Sequence, residues 1–384
     1  MTYPPLNAVI VGAGMIGRIH AASVRAVGAT VRGVVGSSPV KSKLLAEEWE
    51  TPVAYPDLEA ALADSAVDVI HVCTPNSLHV SQARAALAAG KHVVCEKPVA
   101  TSVQDALELE ELARRTGRVL TVPFVYRYHP LVREIRARAE HGEFGTWQLV
   151  HGSYLQDWML PERSTNWRVD ASQGGRSRAF ADIGSHWCDL VEWVAGIRFA
   201  EVAARLAVTR PGRPGYDDHS QRPKATSRGG ISTVATEDVA AVLLRTTDGI
   251  LGSLTVSQVS AGRKNRLWFE LDGTERSAVF DQEQPERIWL GGERDSRIVL
   301  RDPAVGSEEQ RRLAVLPAGH AQGYGDCFRA FVGDTYAAIG GADVIGLPTI
   351  ADGVRSARLV DAVLRASDGS CWTDVTDTPE ELVS

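Results

Sequence analysis

Over its first 125 residues the chain alternates short apolar runs with amphipathic stretches. The runs at 7–11, 31–35, 67–73, 92–95 and 119–122 are nearly continuous in apolar residues, the pattern of parallel strands covered on both faces. Helical periodicity fills 15–27, 40–49, 78–89 and 103–116, and Gly28, Gly90 and Gly117 follow as stop signals. This alternation predicts an α/β fold with a doubly wound parallel sheet.

Past Pro123 the pattern changes. A helix is expected at 131–141, and strands at 239–245, 249–257, 266–271, 277–280 and 297–300. Thr247-Asp248-Gly249 and Asp272-Gly273 carry residues that suit hairpin turns. Helices are expected at 185–194, 325–339 and 351–366. The prediction is a second, α+β domain with a large, mainly antiparallel sheet. The stretch 211–232, rich in Gly, Pro, Ser and charge without an apolar period, is expected to be a surface insertion. At 384 residues the chain exceeds one core; domains are placed at 1–123 and 124–384, with the last helix expected to return to the first.

Composition narrows the partners. With 44% hydrophobic and 23% charged residues the chain is of ordinary globular type. A net charge of −7 weighs against nucleic acid or an anionic membrane as partner and favours a small molecule. The first apolar run lacks a basic flank and is broken by glycines, so a cytoplasmic protein is expected. Five scattered cysteines with no C-x-x-C pair predict neither a disulfide framework nor a metal site. Cys73 and Cys95, set in apolar runs, read as small buried hydrophobes.

Three segments carry candidate chemistry. Gly12-Ala13-Gly14-Met15-Ile16-Gly17 joins the first strand to the first helix, with Gly12 for the tight turn, Gly14 for close approach of a pyrophosphate and Gly17 for helix packing. The second strand ends in Val35-Gly36-Ser37-Ser38-Pro39-Val40-Lys41, without the carboxylate that receives an NAD ribose. Ser37, Ser38 and Lys41 offer hydroxyls and an ammonium for a 2′-phosphate, which tilts the cofactor, NAD(P), toward NADP. Next, Glu96-Lys97-Pro98 follows another strand, where open α/β sheets hold ligands. In the third segment, Asp182 to Asp189, Ser185 reads as a helix N-cap. That places His186 in the first turn, its imidazolium disfavoured by the helix dipole and favoured by either Asp182 or Asp189. Such tuning suits a general base, although the same residues serve equally well as helix caps.

The glycine segment, Thr74-Pro75-Asn76-Ser77-Leu78-His79, Cys95-Glu96-Lys97-Pro98 and Asp182-Ile183-Gly184-Ser185-His186-Trp187-Cys188-Asp189 occur in the order and spacing of one family. Through them, and through Pro348-Thr349-Ile350-Ala351-Asp352-Gly353, the chain resembles the glucose-fructose oxidoreductase, inositol dehydrogenase and rhizopine-catabolism family, Gfo/Idh/MocA, over nearly its whole length. The resemblance implies a Rossmann domain and an NAD(P)-dependent dehydrogenase or reductase of sugars or polyols. It makes Lys97 the catalytic lysine, with Asp182 and His186 the acid-base pair. It also implies that Thr74, Pro75, Asn76, His79 and Glu96 line the cofactor, that Trp167 and Arg168 approach it, and that Tyr126 and Arg127 border the substrate. Trp158 offers a face on which a sugar could stack. Arg176 and Arg178 depart from the family's usual small residues and suggest an anionic sugar. Dimers or tetramers are the assemblies implied. Two alternatives stand beside the dehydrogenase: a glycosidase of the same family that oxidises, eliminates and re-reduces, and a non-catalytic NAD(P) sensor.

Overall fold

A computed structural model describes residues 6–214, 216–217, 222–223 and 231–375. It has two compact units, one running to Val125 and including Tyr324–Ala357, the other comprising Tyr126–Gly323 and the residues from Arg358 onward. The returning segment, expected to be the last helix, is Tyr324–Ala357.

The first unit is built on β1 (Asn7–Val11), β2 (Thr30–Val35), β3 (Val53–Tyr55), β4 (Val69–Val72), β5 (His92–Cys95) and β6 (Leu120–Thr121). All are parallel, in the order β3-β2-β1-β4-β5-β6. Helices α1 (Met15–Ala26), α2 (Pro39–Glu48), α3 (Leu58–Ala63), α4 (Asn76–Ala88) and α5 (Val103–Thr116) connect them. Val9 and Ile10 of β1, Ile70 and Val72 of β4, and Val93 and Val94 of β5 are wholly inaccessible, as strands covered on both faces must be. Local caps set the helix ends: Ser102 accepts the Asp105 N–H at the start of α5, and Gly117, at φ +63°, closes it. β3 and α3 were not predicted, being too short to show a period.

The second unit opens with α6 (Pro130–Glu140), β7 (Trp147–Leu155), α7 (Ala171–Gly174), α8 (Ser185–Ala195) and β8 (Phe199–Ala207). Short strands β9 (Gly212–Pro214), β10 (Tyr216–Asp217), β11 (Arg222–Pro223) and β12 (Ile231–Thr233) follow. Then come β13 (Val239–Thr246), β14 (Leu251–Ser257), β15 (Arg266–Gly273), β16 (Arg276–Asp281), β17 (Arg287–Gly292), β18 (Ser296–Leu300) and α9 (Glu308–Leu313). After α10 (Tyr324–Ile339), which packs on α1 in the first unit, the chain ends its described part with α11 (Ile350–Gly369) and β19 (Thr373–Asp374).

Nine strands form one sheet in the order β18-β17-β16-β15-β7-β14-β13-β8-β19, antiparallel except for the β7–β14 pair. One face is core, with Val150 and Tyr154 of β7 and Leu267, Phe269 and Leu271 of β15 buried. The other leaves Leu149, Leu243, Leu251, Ile298 and Leu300 exposed. α8 is fastened to the core face by Trp187, whose indole N–H donates to the Trp268 carbonyl at 2.9 Å. Gly152 makes room for that bond, since a Cβ there would lie 2.2 Å from the same carbonyl oxygen.

Two expectations are corrected here. The stretch 211–232 is more than a surface insertion at its base: β9 pairs with β12, β10 with β11, and Arg213 is buried with its guanidinium on the Ser164 carbonyl and Asp238. Residues 215, 218–221 and 224–230 of that stretch lie outside the described residues. Asp272-Gly273 is the end of β15 rather than a turn, which falls on the next two residues, because Gly273 fits tightly against the Phe144 carbonyl. Cys73 and Cys95 are buried free thiols, as are Cys188 and Cys327. Among the described residues no helix is long and apolar enough to cross a membrane.

Candidate functional site

In the first unit the strand order reverses between β1 and β4, the switch point at which doubly wound sheets hold ligands. The glycine segment follows β1 at that point. Gly12 has φ +98°, and a Cβ on it would lie 2.5 Å from the Cys73 carbonyl oxygen. Gly17 is equally constrained, since its Cβ would meet the Gly12 oxygen at 2.2 Å. Gly14 differs: a Cβ there meets nothing within 4 Å. It stands at the N-cap of α1 with extended backbone, no side-chain cap and no acidic residue in the first turn. Open space over uncapped N–H groups at the positive end of a helix suits a pyrophosphate. Met15, at the first helical position, is 74% exposed and leaves the approach clear, while Ile16 is partly covered.

These three glycines predict separable behaviour. Gly14→Val is expected to keep a thermal midpoint near wild type while weakening NADH binding by roughly ten-fold or more. Gly12→Val should instead lower the midpoint, because both its φ and the Cys73 carbonyl resist a side chain. Fluorescence titration and thermal unfolding of the two variants check this; an unchanged NADH affinity in Gly14→Val would remove the glycine turn from cofactor binding.

The residues beyond β2 have local duties. Ser37, Ser38 and Lys41 are exposed, and the Ser38 hydroxyl accepts the Lys41 N–H at 3.2 Å as the N-cap of α2. After β4, Thr74 donates its hydroxyl to Gln82, Pro75 precedes the first turn of α4, and Asn76 is buried. His79 is also buried, with Nδ1 2.7 Å from the Pro98 carbonyl and Nε2 2.8 Å from the Thr74 carbonyl. It therefore ties the loop after β4 to the Lys97-Pro98 turn, whose peptide is cis. Glu96 is buried: its Oε1 meets His20 at 3.1 Å and its Oε2 accepts the Lys97 N–H at 3.1 Å. Burial raises the Glu96 carboxyl, but the hydrogen bond from His20 and the charges of Lys97 and His79 outweigh it and hold its pKa below the usual carboxylate value.

In the second unit the Asp182–His186 segment is continuous helix. Phe180–Gly184 makes a wide π turn that runs directly into α8, and the Ser185 N–H bonds to the Phe180 carbonyl five residues back. Ser185 is thus not an N-cap. Its backbone is helical, and its hydroxyl donates to the Ala181 carbonyl at 2.8 Å. His186 sits inside the helix rather than in a first turn, so the dipole argument for it lapses. The π turn, a costly feature that recurs at functional sites, takes its place as the local signal.

Asp182 is held from two sides. Gln258 donates Nε2–H to Oδ2 at 2.9 Å, and Arg168 brings Nε to 3.5 Å from Oδ1. Arg168 also stacks on Trp167, 4.3 Å from the ring centroid. The Gln258 amide is oriented in turn, because its oxygen accepts from Arg178 Nη1 at 3.3 Å.

The two arginines of the 174–180 stretch each have an acidic partner. Arg178 is inaccessible and paired with Asp238, while Arg176 pairs with Asp368 on the surface at 3.0 Å. A buried guanidinium demands a counter-charge, which Asp238 supplies. Arg127 is buried against Asp189, with Nε 2.8 Å from Oδ2. That pair also occupies the second aspartate considered for His186.

Around His186 lies an aromatic and amide cluster. Tyr126 stands edge-on at 5.1 Å and Tyr154 is tilted at 6.5 Å between ring centroids. The two tyrosine hydroxyls bond to one another, and Asn265 bonds to both. Gln156 donates to Asn265 at 2.7 Å and accepts from Trp158 Nε1 at 2.8 Å. Tyr154, Gln156, Gln258 and Asn265 were missed in the sequence. Their signal was weak: polar groups at the ends of β7, β14 and β15, where apolar alternation stops.

The comparisons with known proteins agree with this architecture. Residues 6–124 match a model described as an oxidoreductase family with an NAD-binding Rossmann fold, and residues 132–279 match a GFO/IDH/MocA C-terminal domain. The levoglucosan dehydrogenase of Pseudarthrobacter phenanthrenivorans is 29% identical over 96% of this chain and 98% of its own. D-glucoside 3-dehydrogenase of Escherichia coli is 30% identical over 51% of this chain and 56% of its own. Among solved structures, a levoglucosan dehydrogenase in complex with NADH and levoglucosan superposes with a TM-score of 0.87 at 27% identity, covering 98% of this chain and 100% of that one.

Proposed function

Because the chain belongs to the Gfo/Idh/MocA family of oxidoreductases, we propose that it oxidises a secondary hydroxyl of an uncharged sugar, with NAD as the hydride acceptor. The observation that carries this reading is the braced Asp182 beside His186, among hydroxyl, amide and indole groups suited to a neutral polyol. The burial of Arg178 against Asp238 supports an uncharged sugar over an anionic one. NADH in the levoglucosan dehydrogenase structures, together with the use of Ser38 as a helix cap, supports NAD over NADP.

In this reading His186 takes the hydroxyl proton and Asp182 orients the imidazole, with Gln258 and Arg168 restraining the carboxylate. Lys97 is the cation assigned to stabilise the negative charge that develops on that oxygen. A bound nicotinamide would accept the hydride. Tyr154, Asn265 and Gln156 hold one another in a fixed relay and offer the sugar an ordered set of polar groups.

The test is incubation with NAD or NADP and a panel of neutral sugars, levoglucosan and glucosides included, followed by absorbance of the reduced coenzyme. Reduced coenzyme is expected with a neutral pyranose and NAD. Turnover confined to carboxylated or phosphorylated sugars would overturn the substrate class. Aglycone release without net reduction would instead identify the redox-neutral glycosidase.

A further inference from the structure

Beneath Lys97 runs a buried chain of four polar side chains that the proposed mechanism does not use. Glu96 Oε1 lies 3.1 Å from His20 Nε2, His20 Nδ1 lies 2.8 Å from His71 Nδ1, and His71 Nε2 lies 2.8 Å from the Tyr336 hydroxyl. Both histidines are wholly inaccessible. The four come from α1, β4, the end of β5 and α10, all within the first unit. Phe328 of α10 stands edge-on to His20 at 5.0 Å. The other titratable groups near the chain are Asp68 at Tyr336, Cys73 and Cys95 at Glu96, and Lys97 and His79.

Counting hydrogens gives the chain a direction. Two imidazole nitrogens that face each other share one hydrogen. Burial holds the His71 pKa well below its ordinary value, so His71 is neutral and has one N–H. Burial pushes the Tyr336 phenol well above its ordinary value, so it keeps its proton. If Tyr336 donates to His71 Nε2, then His71 Nδ1–H donates to His20 Nδ1, and His20 Nε2–H donates to Glu96. Glu96 Oε2 is left to accept the Lys97 N–H. Every group is then satisfied with one hydrogen between each pair. In the reverse arrangement the Tyr336 hydrogen has no other acceptor among the described residues.

We propose that Tyr336 and His71 are positioning residues for Lys97: their hydrogens fix His20 as a donor to Glu96, which pins the backbone from which Lys97 extends. This rests on the reading in which Lys97 serves hydride transfer. A second, independent consequence is the pair of histidine tautomers, which requires no substrate.

Imidazole nitrogen–proton correlation spectra of the coenzyme-free protein are expected to show the His71 proton on Nδ1 and the His20 proton on Nε2. His71 protonated on Nε2 would overturn the proposal. Tyr336→Phe should disturb the His20 signals and lower kcat by up to roughly a hundred-fold, with KM for the sugar little changed. His71→Asn, whose amide nitrogen can replace Nδ1 as donor, should retain the His20 tautomer and most of kcat, whereas His71→Leu should not. A merely structural role predicts that Asn and Leu behave alike, and that result would also overturn it. Absence of turnover by the wild-type protein on every sugar would sink the dehydrogenase reading, while the tautomers would still decide this proposal.

Discussion

Lys97→Met is expected to lower kcat by roughly a hundred- to ten-thousand-fold while NADH binding stays near wild type. The size follows from the lysine's assigned work, stabilising the oxygen that bears the developing negative charge, for which methionine of similar length offers no substitute. The structure makes the experiment clean. The backbone at this position is held by groups other than the ammonium: Glu96 receives the Lys97 N–H, and His79 grips the Pro98 carbonyl. Removing the charge therefore leaves the turn restrained. Steady-state kinetics together with NADH fluorescence titration separate the two effects, and wild-type turnover in the variant would take Lys97 out of the reaction.

Asp238→Ala should cost about 3–5 kcal/mol of folding stability, the range for breaking a buried charge pair on one side. Asp238 is inaccessible. Its Oδ1 receives Arg178 and Arg213, and its Oδ2 receives the Thr209 and Arg210 N–H groups at 2.8 and 2.9 Å and the Thr209 hydroxyl at 3.1 Å. Alanine would leave two buried guanidiniums without a counter-charge. Burial raises the Asp238 carboxyl, but the hydrogen bond and charge of Arg178, aided by Arg210 and Arg213, hold its pKa below the usual value. A carboxylate depressed in the folded state stabilises above its unfolded pKa, near 4, and that contribution disappears as pH falls through the folded value. The stability gap between wild type and variant should accordingly be full at pH 7 and shrink in acid. Because Arg178 also orients Gln258, and Gln258 holds Asp182, turnover should fall as well. Denaturant unfolding showing a loss under about 1 kcal/mol at pH 7 would contradict the assignment.

The two units differed in how openly their sequences declared them. In the first, every strand but β3 lies in a short, mostly apolar run with a glycine or a helix beside it, so local pattern sufficed for those. In the second, β7 reads Trp-Gln-Leu-Val-His-Gly-Ser-Tyr-Leu, its alternation interrupted by the glycine that admits Trp187. β8, with four alanines, has the composition of a helix and becomes a strand through pairing with β13 and β19. Tertiary contacts outweighed propensity in both.

Short-range motifs, by contrast, were readable because their physics is local. A glycine needed for a tight turn, a lysine at a strand's carboxyl end and an Asp and His four residues apart on one helical segment each depend on immediate neighbours. So the chain's order of residues alone determined the doubly wound sheet and the glycine cradle, and singled out Lys97, Asp182 and His186 as candidates. Only tertiary structure decided what surrounds them. Arg178 read as a contact for an anionic sugar until Asp238, 60 residues away, met it in the core. His71 and Tyr336 are 265 residues apart and showed no mutual signal in the sequence. The reason is physical: a buried polar group must find a partner wherever the fold can supply one, and the distance along the chain to that partner is set by topology rather than by local sequence.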